Sequence, residues 1–169
     1  GHLYSLITEF LGFKRLKDEG KVVGMAAHGN YEGIVYKALD ESFKVLGTQT
    51  DDDNKKNSEG VILGKLYSDF YTSFYKELGS KVYMGTKEDI AYTGQKFFED
   101  KVLTLFNNLH QLKPTLNKVA VAGGVFANVK LNKRINELEW VDEMFIAPPM
   151  GDEGCTLGCT LMVHKRYNP

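Results

Sequence analysis

Two adjacent glycines, Gly123 and Gly124, separate a short apolar run from a helix-competent segment that begins at Asn128. Glycine adopts positive φ angles readily, and without a Cβ it lets the backbone approach a bound molecule closely. The first N–H groups of the helix that follows carry partial positive charge and lack partners within the helix. The pattern is typical of a turn that holds a phosphate or another anion, and an ordinary tight strand-to-helix connection is the alternative interpretation.

The glycine pair matches neither of two common phosphate-binding motifs. A dinucleotide fingerprint, Gly-x-Gly-x-x-Gly, needs further glycines at fixed offsets, and a P-loop needs Gly-Lys-Ser/Thr after its turn. Val125 follows the pair, and neither pattern is present. Both interpretations of the turn therefore stay open at the level of residue spacing.

Asp152 is the second residue with chemical potential, because it follows a Pro-Pro-Met-Gly turn and precedes a helical segment. An aspartate there predicts an N-cap, whose oxygen accepts an N–H of the first helical turn. The same carboxylate could hold a divalent cation near a phosphate, and the two roles are compatible. A complete metal site is not visible, since there is no His-x-x-x-His pair. The four histidines are scattered: His2, His28, His110 and His164.

The two cysteines, Cys155 and Cys159, lie four residues apart on the same predicted helix. That spacing puts them on one face but near the long limit for a disulfide. No base lies nearby in the sequence, which argues against a nucleophilic role. With Gly154 and Gly158 they form a ridge of small residues, so we expect reduced thiols that pack closely against the sheet or a neighbouring helix.

Composition indicates one ordinary globular domain. The chain has 169 residues, of which 43% are hydrophobic and 25% charged, and its formal net charge is -1. This charge gives no reason to expect nucleic acid or an anionic membrane as a partner. No apolar run approaches about 18 residues, and the first residues lack the pattern of a signal peptide. We expect a cytoplasmic protein that binds neither nucleic acid nor membrane.

Apolar periodicity predicts six helices and two strands around these residues, and Gly12 is expected to terminate the first helix. Thr86 and Asp89 resemble a capping box at the start of the longest helix, which should bury Leu105 and Leu109 among others and stop before Pro114. The segment from Lys21 to Gly29 is compatible with a helix or a strand. A polar loop over 47–60 is expected to be flexible, and its aspartates lack the glycine and glutamate of an EF-hand. The predicted helices are 2–13, 31–46, 64–78, 87–112, 128–138 and 152–165, and the strands are 119–122 and 141–147.

The alternation of strands and helices after residue 118 predicts a parallel crossover in an α/β fold. Parallel strands end at the same edge of the sheet, so the turns at Gly123 and Pro148 should be neighbours in space. In open α/β sheets ligands bind at that edge. The glycine pair and Asp152 are therefore predicted to face one site.

Five ordered stretches resemble the O-carbamoyltransferase family, which includes nodulation-factor and antibiotic-tailoring enzymes. The resemblance implies an actin-like ATPase (ribonuclease H-like) lobe, with a mixed sheet, flanking helices and a helical insertion. It covers the chain nearly end to end, apart from the region of the polar loop and the aromatic helix after it. The stretches are Tyr4–Phe13, Asp18–Gly29, Glu88–Gln95, Ala122–Asn128 and Pro148–Gly158.

The resemblance also implies an activity and a division of labour. Family members move a carbamoyl group from carbamoyl phosphate, through ATP-derived carbamoyl-adenylate, to an acceptor hydroxyl. The chain corresponds to the second lobe of the metal-containing transferase domain, without the preceding lobe or the C-terminal adenylate-forming domain. Asp152 would supply one carboxylate to a divalent metal, iron or magnesium, and no catalytic residue is assigned. The implied nucleotide-binding residues are Gly20, Lys21, Gly123, Gly124 and Asn128.

Departures from the family pattern leave two alternatives open. The metal-binding His-x-x-x-His of the family would lie in the preceding lobe, so we expect the 169-residue piece to be inactive by itself. One alternative is a tRNA threonylcarbamoyl-transfer-like protein, against which the near-neutral charge argues. The other is a non-catalytic nucleotide-binding lobe of the same superfamily. The acceptor substrate is not specified by these residues.

Overall fold

A computed structural model describes residues 1–47, 72 and 85–168. These residues divide into two compact units, His2–Phe98 and Glu99–Pro169, the second together with Gly1. The predicted polar loop lies outside the described residues except for Gly47, and the predicted aromatic helix lies outside them except for Thr72. The fold is mixed α/β and mostly helical.

Helix α1, His2–Phe10, opens the first unit and confirms the predicted apolar face. Leu6, Ile7 and Leu11 are buried, which is the spacing expected of one side of a helix. Gly12 has φ of 87° and ends the helix, because a residue with a Cβ would be strained in that conformation. The predicted terminator is therefore confirmed.

Helix α2, Glu19–Met25, continues into a short 3-10 turn over Ala26–His28. Val22 and Ala26 are fully buried and lie four residues apart, so this segment is helical and not a strand. Gly20 and Lys21 belong to the first turn of α2.

The core of the first unit is formed by α1, by α3, Gly33–Gly47, and by the start of the long helix α4, Lys87–Leu112. Phe97 is fully buried, and the ring of Tyr36 meets it edge-on at 5.1 Å between centroids. Tyr4 packs against Phe98 and donates its hydroxyl hydrogen bond to Gln95 Oε1 at 2.7 Å. Aromatic packing thus surrounds a buried hydrogen bond between α1 and α4.

The predicted capping box at the start of α4 is confirmed. Asp89 N–H donates to Thr86 Oγ1, and Thr86 N–H donates to Asp89 Oδ2, both at 3.2 Å. The loop after the 3-10 turn approaches the same helix start so closely that a Cβ on Gly29 would collide with the Glu88 carbonyl. Asn30 N–H then donates to Asp89 Oδ1 at 2.8 Å. Asp89 therefore joins the loop to the helix start.

These bonds lower the pKa of Asp89 below its ordinary value of 3.8, with the Asn30 N–H as the main cause and the Thr86 hydroxyl next. Because the folded pKa lies below the unfolded one, this stabilisation is complete above the unfolded value. It is lost as the pH falls through the folded pKa.

We expect Asp89→Asn to lower the midpoint of urea unfolding at neutral pH, because an amide oxygen is a weaker acceptor than a carboxylate. The difference from the wild-type chain should stay constant down to about pH 5 and shrink below the unfolded pKa. Circular dichroism during urea titrations at several pH values measures it. The exposed Glu139→Gln serves as the control. A difference that widened on acidification would contradict the role of Asp89.

The second unit contains two parallel strands, β1, Lys118–Val121, and β2, Glu143–Ile146. Lys118 pairs with Glu143 and Val121 with Ile146, and helix α5, Val129–Asn136, lies between the strands in the chain. The predicted parallel crossover is confirmed. The sheet is less buried than the sequence indicates, since Val121 is the one buried residue of these two strands and Phe145 is 61% exposed.

Buried contacts join α4 to α5 within the second unit. Leu131 and Ile135 are fully buried, and the side chain of Glu99 is covered beside them. Glu99 accepts from Arg134 Nη1 at 3.3 Å and lies 3.9 Å from Lys130 Nζ. A carboxylate this deeply buried requires such cations, because removing its charge from water is otherwise unfavourable.

The far end of α4 is more exposed than predicted. Leu105 and Leu109, expected in the core, are 54% and 53% exposed. Near them the ring of His110 stacks on Trp140 at 4.4 Å, and Trp140 Nε1 donates to Asn107 Oδ1 at 2.8 Å. The prediction of burial was wrong because periodicity identifies an apolar face without showing whether anything covers it.

Helix α6, Glu153–Tyr167, has no buried residue. Cys155 and Cys159 are free thiols, as predicted, but they are exposed and do not pack against the sheet. The predicted packing role of this ridge is therefore wrong for the chain as described. As for membranes, the described helices are all too short or too polar to span a bilayer.

Candidate functional site

Parallel pairing brings two corners of the second unit together. We call Gly123 with the following 3-10 turn, Gly124–Ala127, the glycine corner, and residues 148–152 the acidic corner. Ala147 N–H donates to Val121 O at 2.9 Å where the two strands end. A Cβ on Gly124 would lie 3.8 Å from the Met150 carbonyl oxygen. The predicted proximity of the two corners is confirmed.

Gly123 has a backbone conformation that only glycine adopts without strain, with φ of 98° and ψ of 165°. Glycine is needed at this position because of the backbone angles and not because of crowding, since no heavy atom lies within 4 Å of an ideal Cβ there. The space above this residue is therefore open. A ligand could approach the backbone at this point.

The turn after Gly123 presents backbone donors. Its first hydrogen bond runs from Phe126 N–H to Gly123 O at 3.0 Å. The N–H groups of Gly124 and Val125 precede that bond, so the turn itself offers them no acceptor. Two adjacent donors at a glycine-rich turn are suited to an anion, which is one of the two interpretations that the sequence leaves open.

Asn128 is the N-cap of α5. Its Oδ1 accepts the Leu131 N–H at 3.0 Å, and its carbonyl accepts the Asn132 N–H at 3.1 Å. The side chain is nine-tenths buried. The structure thus gives Asn128 a capping role, which positions the glycine corner against the helix start. Direct hydrogen bonding to a nucleotide stays a prediction.

Asn132 is a polar residue of this site that sequence reasoning missed. Its Nδ2 donates to the Phe126 carbonyl at 2.7 Å, so its amide lies against the glycine corner. It is buried, with 7% of its surface exposed. The available signal was its position one helical turn after Asn128, since residues four apart share a helix face.

Asp152 differs from its predicted N-cap geometry. It has helical φ and ψ angles of −63° and −23°, and its side chain makes no capping hydrogen bond. Glu153 instead turns back and accepts the Gly151 N–H at 3.0 Å. Asp152 occupies the N-cap position of α6, as predicted, but the predicted capping bond is absent, because the Asp152 backbone is already helical. The Asp152 carboxylate is exposed at the acidic corner and has no capping role there.

Metal binding at the acidic corner stays a prediction. Carboxylates suit magnesium or iron, and Asp152 is placed to supply one. Across residues 1–47, 72 and 85–168, no group of three or more His, Cys, Asp or Glu side chains converges. Any bound cation would therefore need ligands beyond those that the described residues gather.

Gly20 and Lys21 lie in the first unit and the two corners in the second, so each set is described within its own unit. Lys21 Nζ is 2.9 Å from Asp18 Oδ1, and both its charge and its exposed position suit binding of an anion. The hydrogen bond from Lys21 is the main cause that lowers the pKa of Asp18. Lys21 is therefore already paired with a carboxylate.

The fold is that of an α/β protein, and the carboxyl edge of parallel strands is where such proteins usually bind ligands. The chain belongs to the carbamoyltransferase family: the family described as "Carbamoyltransferase N-terminus" matches residues 1–161. This match supports the resemblance inferred from the sequence.

Three proteins are similar over nearly the whole chain. The uncharacterized protein MJ1058 of Methanocaldococcus jannaschii is 36% identical over 163 residues, which cover 96% of this chain and 25% of that protein. The uncharacterized protein MJ1051 of the same organism is 30% identical, with coverages of 95% and 29%. The uncharacterized protein sll1178 of Synechocystis sp. is 28% identical, with 99% and 27%. The chain spans between a quarter and three tenths of the length of these relatives.

We expect Gly123→Ala to destabilise the protein by about 1–3 kcal/mol, because alanine is strained at the φ and ψ angles of this residue. Gly124→Ala is the matched control, since φ is not positive there and a Cβ would make ordinary contacts. Its effect should stay within about 0.5 kcal/mol. Chemical denaturation of both variants measures the difference. Equal stabilities of the two variants would contradict this expectation and show that the backbone at position 123 adjusts to alanine without strain.

Proposed function

We propose that this chain is part of an O-carbamoyltransferase, which transfers a carbamoyl group from carbamoyl-adenylate to an acceptor hydroxyl. The family match supports the class of reaction, and the chain's coverage of its relatives supports a longer polypeptide. The observation that carries the proposal is the meeting of the glycine corner and the acidic corner at one sheet edge. That arrangement brings the backbone donors of the glycine corner close to the turn that leads into Asp152.

The glycine corner would hold the phosphate of the adenylate. The N–H groups of Gly124 and Val125 point to this role because they lack acceptors within their own turn. Gly123 leaves open space beside them, and Asn128 fixes the helix start. We also propose that Gly20 and Lys21, in the first unit, bind nucleotide, because the exposed Lys21 ammonium, which now pairs with Asp18, can pair with a phosphate instead.

The reaction is an acyl substitution at the carbamoyl carbon. The acceptor oxygen forms a new bond to that carbon, the bond from the carbon to the phosphate oxygen breaks, and AMP leaves with the electron pair while the acceptor loses its proton. Carbamoyl phosphate and ATP supply the carbamoyl-adenylate. A divalent metal, iron or magnesium, would polarise oxygen atoms at the site, with Asp152 as one ligand. Backbone donors of the glycine corner orient the leaving phosphate.

Exposed apolar residues of the second unit support the proposal that the chain is one lobe of an actin-like transferase domain. Parallel sheets in proteins are covered on both faces. Here Phe145 of β2 is largely exposed, as are Leu161 and Met162 of α6. The remainder of a longer polypeptide, including a preceding lobe and further strands of a mixed sheet, would cover them. We propose a cytoplasmic location for this protein.

A non-catalytic nucleotide-binding lobe is the second candidate. The observation that favours it is the incomplete set of metal ligands among the described residues, although the donors of the glycine corner are present. A tRNA threonylcarbamoyl-transfer-like function is less well supported, because a net charge of -1 provides no overall attraction to RNA.

The full-length protein, supplied with ATP and carbamoyl phosphate, should release nucleotide in a reaction that depends on carbamoyl phosphate. A panel of acceptors with hydroxyl groups should include one that increases this release and that becomes carbamoylated, as followed by mass spectrometry. Nucleotide binding without any turnover would favour the non-catalytic lobe. Absence of both binding and turnover would overturn the proposal.

Asp152→Ala in the full-length protein should reduce bound metal strongly, because it removes a carboxylate ligand. Stability should change by no more than about 0.5 kcal/mol, since the side chain makes no capping bond. Metal analysis of the purified protein measures the first effect and thermal unfolding the second. Asp142→Ala, at the opposite end of β2, is the control. Unchanged metal content in Asp152→Ala would refute this assignment.

A further inference from the structure

The carboxylate that pairs with Lys21 is fixed by the loop between α1 and α2. Asp18 Oδ1 lies 2.9 Å from Lys21 Nζ, and Asp18 Oδ2 accepts the Lys14 N–H at 3.1 Å. The Asp18 N–H in turn donates to the Lys14 carbonyl at 2.9 Å. The side chain of Asp18 is 15% exposed and that of Lys21 is 65% exposed. Solvent and ligands therefore reach the ammonium, while the carboxylate is held behind it.

The charge of Asp18 stays beside any phosphate that Lys21 binds. The hydrogen bond from Lys21 and then that from the Lys14 N–H lower the pKa of Asp18 below its ordinary value of 3.8, so the carboxylate is ionised at neutral pH. Its bond to the Lys14 N–H does not involve Lys21 and keeps it in place when the ammonium turns to a ligand. An anion at Lys21 is thus attracted by one charge and repelled by the other.

We propose that Asp18 is a specificity-determining residue, which makes the phosphate contact of Lys21 favour a phosphate with one negative charge over a phosphate with two. This inference rests on the proposed binding of nucleotide by Lys21 and names the kind of phosphate that is recognised. The phosphate of carbamoyl-adenylate is linked to two groups and carries one charge. AMP is a monoester and carries two charges above its second pKa of about 6. The preference would favour the reactant over the product that leaves.

The test compares AMP with its phosphate monomethyl ester by isothermal titration calorimetry on the full-length protein, at low ionic strength and about pH 8. The two ligands are similar in size and differ by one negative charge. In Asp18→Asn the ratio of AMP affinity to ester affinity should rise about twofold to fivefold, as expected for charges at an exposed site. Added salt should reduce this change. The asparagine oxygen can still accept the Lys14 N–H, so the loop keeps its bond.

Lys21→Met should shift the same ratio in the opposite direction, because it leaves Asp18 without its cation. The double variant Asp18→Asn/Lys21→Met should return the ratio to the wild-type value, whatever its overall affinity, because the two charges are removed together. Glu41→Gln is the matched control, since Glu41 lies 3.8 Å from Lys37 on α3 in the same compact unit. It removes the same kind of charge and should leave the ratio unchanged.

An unchanged ratio in either single variant would overturn the inference, so the test stays decisive if one of the two fails to fold. Weaker binding of both ligands to Asp18→Asn at an unchanged ratio would also overturn it and would make Asp18 a support for Lys21. In these cases binding of AMP by the wild-type protein would leave the proposed function standing. Failure of the wild-type protein to bind either ligand would overturn the nucleotide site as well.

Discussion

Parallel pairing of β1 and β2 is the constraint on which the candidate site depends. Two parallel strands must both end at the same edge, so the turns that follow them are neighbours although about 25 residues separate them in the chain. An antiparallel pair would have placed the glycine corner and the acidic corner at opposite ends. Four paired residues in each strand are thus enough to bring backbone donors and a carboxylate into one region.

The start of α5 is held in place by polar groups and not by packing alone. Asn128 caps the helix, Asn132 bonds back to the turn, and the buried Glu99 receives Arg134 and Lys130 from the same helix. Apolar contacts through Leu131 and Ile135 fix the depth of the helix. Hydrogen bonds with defined directions then fix its rotation, which determines where the N–H groups of the glycine corner point.

Local signals in the sequence predicted the elements and the relation between the two corners. A capping box at Thr86, a terminator at Gly12 and the alternation of strands and helices each depend on chemistry within a few residues. The family resemblance was likewise readable from short motifs. What failed depends on tertiary surroundings: the exposure of Cys155 and the missing capping bond of Asp152 are decided by what packs nearby or by where a helix begins. An unpaired atom such as Asn132 Oδ1 has no sequence signature at all.

Stacking of Trp140 on His110 has a practical consequence for anyone who unfolds this protein. Trp140 is the one tryptophan of the chain, and it belongs to the second compact unit. Its fluorescence therefore follows the melting of that unit alone, while tyrosines such as Tyr4 and Tyr36 belong to the first. Tryptophan and tyrosine signals recorded in one denaturation curve would coincide if the two units lose their structure together, and separate if they do not.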